Sequence, residues 1–208
     1  MNAQEIISSL ISINSIKIDI KNPYKWASGW NSPIYCDNRI SLSYPEIRNK
    51  ITQKLVYEIK SNFDNIDTIA GVATAGIPQG ALIAKELDLP FIYVRSSAKK
   101  YGLQNLIEGD LSPNSKVLII EDLISTGGSS LKAIDAIKNR NCEIIGLLCV
   151  FNYNFKISEK LFDSNKIRVL SLCTYDDLIT VAKKRKLINS EEIQNLEDWR
   201  KAPDKWSP

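Results

Sequence analysis

The chain has 208 residues, of which 27 are basic, 24 acidic and none histidine, for a formal net charge of +3. That length indicates one domain with enough chain to bury a sizeable core, and 44% hydrophobic with 25% charged residues is the ordinary balance of a globular protein. Without histidine there is no Ser-His-Asp or Cys-His catalysis and no His-ligated zinc, and so small a net charge gives no reason to expect a nucleic-acid partner.

In chain order, Ile6, Ile7, Leu10 and Ile11 have helical spacing over residues 1–13. Residues 20–44 hold Pro23, Gly29, Pro33, Trp26 and Trp30 and read as an aromatic-rich loop or hairpin turning at Ser28–Pro33. A second helical pattern runs from Pro45 to about Phe63, and proline suits a first helical turn. Short apolar runs then alternate with helical stretches. The runs are Thr68–Ala73, Pro90–Val94, Lys116–Ile120, Glu143–Phe151 and Ile167–Leu172. Helical stretches lie at Ile77–Leu87, Ser129–Asn139, Ser158–Asp163, 174–186 and 190–201. This alternation predicts an α/β fold, a central parallel sheet flanked by helices, with ligands beyond the C-terminal edge of the strands. No leader-like segment or long apolar run is present, so neither a signal peptide nor a membrane partner is expected, and the location expected is cytoplasmic. Cys36, Cys142, Cys149 and Cys173 form no C-x-x-C pair and are expected to be reduced and structural. Lys183–Lys186 reads as a solvated end of a helix, favoured by its dipole.

The third run leads into the most informative segment, Val117-Leu118-Ile119-Ile120-Glu121-Asp122-Leu123-Ile124-Ser125-Thr126-Gly127-Gly128-Ser129. Hydroxyls and closely spaced backbone N–H groups at a helix start form a nest for a phosphate monoester, and glycine lets the backbone come close. The adjacent carboxylates suit vicinal hydroxyls or a hydrated Mg²⁺. Together they describe a site for a ribose 5-phosphate. A P-loop would need lysine after its last glycine, where this chain has Ser129, and the G-x-G-x-x-G spacing of a dinucleotide site is absent.

Residues 117–129 resemble the phosphoribosyl diphosphate (PRPP) motif of the type I phosphoribosyltransferases. Three further stretches resemble the orotate phosphoribosyltransferase branch of that family: Ser28–Arg39, Gly71–Pro78, and Tyr93-Val94-Arg95 through Ala98-Lys99-Lys100-Tyr101-Gly102 to Ile107-Glu108-Gly109. The resemblance covers about residues 5–185. It implies transfer of ribose 5-phosphate from PRPP to orotate, giving orotidine 5′-monophosphate and pyrophosphate in UMP biosynthesis. It further implies Mg²⁺ held through PRPP and water rather than by a protein metal site, and a homodimer that shares a mobile loop. The implied organisation is one domain, with a hood and N-terminal helix over about 1–44, a core over about 45–186 and a C-terminal helix and tail over 187–208.

The same resemblance assigns residues. Glu121 and Asp122 hold the ribose hydroxyls and steady an oxocarbenium-like state. Leu123, Ile124, Ser125, Thr126, Gly127, Gly128 and Ser129 form the PRPP loop, Ser125 also reaching orotate. Arg95, Lys99, Lys100 and Tyr101 serve pyrophosphate, Lys99 among the catalytic groups, from a stretch, 96–115, that reads as a long loop. Tyr35 and Cys36 lie in the hood beside orotate. The chain departs from the family pattern at several points. It has Tyr101 where histidine is usual, Ser96 and Ala75 where some members carry lysine, and Asn152-Tyr153-Asn154 where some carry an arginine. Two other functions fit the PRPP motif: transfer to another base, and a regulator that binds PRPP without turnover.

Overall fold

The computed structural model describes residues 1–26, 28–97 and 106–207. It divides into two compact units, Arg48–Leu172 and a second formed by Met1–Ile47 with Cys173–Pro208. In the second unit, α1 (Ala3–Ser12), β1 (Ile16–Ile18), β2 (Tyr24–Lys25), β3 (Asn31–Ser32) and β4 (Ile34–Cys36) precede the start of α2 (Pro45–Asn62). The first unit continues with β5 (Thr68–Val72), α3 (Gly76–Leu87), β6 (Phe91–Val94), β7 (Ile107–Glu108), β8 (Lys116–Ile124), α4 (Gly128–Lys138), β9 (Glu143–Asn152) and α5 (Lys156–Ser164). The chain returns to the second unit through β10 (Val169–Thr174), followed by α6 (Tyr175–Lys184) and α7 (Ser190–Lys201).

The sheet has the order β10-β9-β8-β5-β6-β7. Pairs β5–β6, β5–β8 and β8–β9 are parallel. All of β5 is buried, as are most of β8 and β9, which is why their sequences read as continuous apolar runs rather than alternating ones. The strand order reverses between β5 and β8, the place where such sheets bind ligands.

Three differences from the sequence expectation have physical causes. β8 does not stop at Ile120 but runs on through Glu121, Asp122 and Leu123 to Ile124, paired with β9. The stretch 96–115 is not one loop: Ile107 and Glu108 pair antiparallel with Val94 and Tyr93, and Leu111 is buried, because short apolar anchors attach that part to the sheet edge. β1, which pairs antiparallel with β4, is too short to show a period. The two compact units divide the chain at 47/48 and 172/173.

Both chain ends build the second unit. Trp199 on α7 is fully buried, donates from Nε1 to the Asn31 carbonyl oxygen at 3.1 Å, and meets the Trp26 ring edge-on with centroids 5.9 Å apart. Burying a ring of that size is worth roughly 4–6 kcal/mol. Capping boxes start α1 (Asn2 with Glu5), α6 (Thr174 with Asp177) and α7 (Asn189 with Glu192). All four cysteines are thiols, Cys142, Cys149 and Cys173 buried and Cys36 half-buried. Among the described residues, no helix is long and apolar enough to cross a membrane.

In the first unit, α3 lies against the sheet at backbone distance. A Cβ on Gly76 would sit 2.5 Å from the Ile120 carbonyl oxygen, and one on Gly71 would sit 2.8 Å from the Gly76 oxygen. Glycine is therefore needed where α3 begins beside β8. Gly76→Ala is expected to cost about 1–3 kcal/mol of stability through overpacking, read as a lower midpoint in urea denaturation.

Candidate active site

β5 ends at Val72, and its last pair with β8 is Gly71 with Ile120. From Glu121 onward β8 pairs with β9 alone: Glu121 lies opposite Cys149, Leu123 opposite Phe151 and Ile124 opposite Asn152. The free flank of this overhang lies beside the Ala73-Thr74-Ala75 turn that carries β5 into α3, a turn whose Ala73–Thr74 peptide is cis. Both carboxylates thus stand on a rigid strand at the reversal point of the sheet.

Successive side chains on a strand point to opposite faces, and the two acids differ accordingly. Glu121 is buried, and its Oε1 accepts hydrogen bonds from the Ser129 and Ser130 hydroxyls, each at 3.0 Å. Burial, and then the neighbouring Asp122 charge, push its carboxyl from an ordinary value of 4.5 up to about 8, while the two serine hydroxyls pull the other way. Asp122 is half-buried.

The loop between β8 and α4 turns on Gly127, whose φ of 82° lies in the left-handed region. A Cβ there would come within 3.0 Å of Leu161 Cδ2 and 3.1 Å of Phe162 Cζ. No side chain caps α4, so the N–H groups of Gly128, Ser129 and Ser130 lack intrahelical partners and suit an anion. The Ser129 hydroxyl is engaged by Glu121, which leaves its backbone N–H for that purpose. Ile124 is buried and its carbonyl accepts from the Tyr153 N–H at 3.0 Å, so its side chain packs in the core. Leu123 near the end of β8, and Ser125 and Thr126 in the loop, are half-buried.

Arg95 follows β6 and donates from Nη1 to Glu108 Oε1 at 3.3 Å and from Nε to the Ser97 carbonyl at 3.3 Å. Tyr35 and Cys36 belong to β4 in the other unit. The Tyr35 ring lies 5.3 Å from that of Tyr24, and Cys36 Sγ is 3.5 Å from Asn38 Oδ1. Lys99, Lys100 and Tyr101 lie outside the described residues. Sequence reasoning passed over Ser130, whose signal was a second serine after the glycine pair, and Glu108, which read as part of a loop. Among the described residues, no group of three or more His, Cys, Asp or Glu side chains gathers to hold a metal ion.

A family model described as a phosphoribosyl transferase domain matches residues 43–183. The chain is 50% identical over 201 residues to the orotate phosphoribosyltransferase of Porphyromonas gingivalis, covering 97% of this chain and 96% of that one. Among solved structures, an orotate phosphoribosyltransferase from Aeropyrum pernix matches with a TM-score of 0.76 and 22% identity, over 88% of this chain and 99% of that chain. Leishmania donovani UMP synthase matches with a TM-score of 0.79 and 22% identity, over 98% of this chain but only 42% of that longer one. At such identities the structural likeness speaks for the fold.

A buried acid whose pKa is raised on folding makes stability fall as pH rises between its unfolded and folded values. Below about 4.5 both states are protonated. Between there and about 8 only the folded state keeps the proton, and above 8 the dependence ends. Denaturation midpoints measured from pH 5 to 8 should therefore decline, by at most about 1.4 kcal/mol per pH unit. In Glu121→Gln, which keeps an acceptor for the serines, that decline should be shallower.

Proposed function

The chain belongs to the orotate phosphoribosyltransferase family, and on that premise we propose that the β8 overhang and the Gly127 loop hold the ribose 5-phosphate of PRPP while orotate displaces pyrophosphate at the anomeric carbon. The bond from C1′ to the pyrophosphate oxygen breaks, the bond from C1′ to orotate N1 forms, and the N1 proton is lost to water or to the departing pyrophosphate. Orotidine 5′-monophosphate and pyrophosphate are the products. The observation that carries this assignment is the half-buried Asp122, fixed on a strand end one turn away from an uncapped helix start.

Each group then has a task set by charge. The N–H groups of Gly127–Ser129, with the hydroxyls of Ser125 and Thr126, take the 5-phosphate, and Ser125 also faces the base. Asp122 accepts hydrogen bonds from the ribose hydroxyls, and its negative charge steadies the positive ring as the leaving group departs. Glu121 contributes indirectly, since its carboxyl is already occupied by two serine hydroxyls. Arg95 meets the growing charge on pyrophosphate. Lys99, Lys100 and Tyr101 join it on the strength of the motif, and Tyr101 supplies one hydrogen bond where a histidine would add charge. Tyr35 and Cys36 are assigned to orotate on the strength of the motif.

The donor set suits Mg²⁺, which needs few protein ligands and keeps its waters. Asp122 is the partly exposed carboxylate of the acidic pair and would meet the hydrated ion, which would be held mainly through PRPP and water. When bound, the ion neutralises charge on the leaving pyrophosphate. A cytoplasmic homodimer with the pyrophosphate loop shared between subunits completes the proposal.

Loss of orotate absorbance on incubation with PRPP and Mg²⁺, with equimolar pyrophosphate release, is the test. Turnover with a purine in place of orotate, or PRPP binding without turnover, would overturn it. In the same assay, Asp122→Asn should lower kcat/KM by about 10²-fold.

A further inference from the structure

The Arg95–Glu108 contact has no part in the assignment above. It lies where β7 joins the sheet edge. Glu108 pairs with Tyr93 across the antiparallel ladder, and Ile107 pairs with Val94. Arg95 extends the ladder by one more bond, from its N–H to the Leu106 carbonyl at 2.8 Å. Arg95 and Glu108 are therefore diagonal neighbours on one face, within reach for long side chains. Their side chains meet at 3.3 Å, Arg95 being 36% and Glu108 22% exposed. Gly109 follows at a φ of 102°, and a Cβ there would sit 3.0 Å from Ile92 Cγ2. The glycine thus lets the chain turn tightly against β6 directly after Glu108.

We propose that Glu108 is a positioning residue that holds Arg95 ready for pyrophosphate. The proposal rests on the assignment of Arg95 to pyrophosphate given above. A half-exposed ion pair contributes little to stability, so folding is a poor reason for this one. Holding a long side chain in place before the ligand arrives removes an ordering cost from binding. The guanidinium is fixed on two sides, by Glu108 at Nη1 and by the Ser97 carbonyl at Nε. Among the described residues its other N–H groups have no partner, so they are available to a second anion. A carboxylate grips an arginine through charge and hydrogen bonding together.

The test compares Glu108→Ala, Glu108→Gln, Arg95→Ala and the Arg95→Ala/Glu108→Ala pair. KM for PRPP and orotate is measured in the forward direction, and KM for pyrophosphate in the reverse. Glu108→Ala is expected to raise KM for PRPP and for pyrophosphate about 5- to 10-fold, with KM for orotate within about 2-fold of the parent. Glu108→Gln, which keeps the acceptor oxygen, should recover part of that loss and should fold even where the alanine variant does not. The double variant should be no worse than Arg95→Ala alone, because Glu108 acts through Arg95. Unchanged KM values in both Glu108 variants beside a defective Arg95→Ala would overturn the proposal and leave the Arg95 assignment standing. So would strictly additive losses in the double variant. An unimpaired Arg95→Ala would instead remove the assignment of Arg95 itself.

Discussion

Strand β8 outruns its neighbour β5, and the candidate site depends on that difference in length. A strand paired on both sides leaves no room for a ligand, and a loop would not hold carboxylates at fixed positions. The overhang is paired on one flank and open on the other, which gives rigidity and access together. It requires that α3 begin very close to β8, and the absence of a side chain at Gly76 allows this. It also requires that a carboxylate be tolerated in the core.

That carboxylate is Glu121. Buried charge is costly unless it is hydrogen-bonded or neutralised. Both remedies are in place: two serine hydroxyls converge on one oxygen, and the raised pKa keeps the group protonated near neutral pH. The same two bonds tie the first turn of α4 to the strand, so the start of the helix is held in register with Asp122. The acid that sequence reading assigns to substrate also ties the helix start to the strand.

Much of this was legible from residue order. The apolar runs marked the buried strands because full burial removes the need for alternation, and the acid pair before a glycine-rich helix start marked the candidate site. The end of β8 was not legible, since two charged residues look like the end of a strand unless the serines that satisfy Glu121 are known to fold back onto it. β7 was missed because two residues carry no period. Its anchors, Ile107 and Leu111, become apparent only against β6 and the buried core. The role of Arg95 was suggested by motif, whereas its link to Glu108 depends on a ladder register that spacing does not reveal. The joining of the two chain ends into one unit is a wholly non-local fact.

That joining bears on how the chain is made. The aromatic face of the N-terminal segment is completed by Trp199, so its indole partner is made long after it. At about 5–20 residues per second, the interval between Ile47 and Trp199 lasts roughly 10–30 s. During that time Trp26 and the Asn31 carbonyl must wait with their partner unmade. The sheet unit, whose strands are contiguous in the chain, can assemble in the interval. The segment holding Trp26 is thus secured later than the sheet made after it, and its unpartnered tryptophan is what a chaperone would meet on the nascent chain.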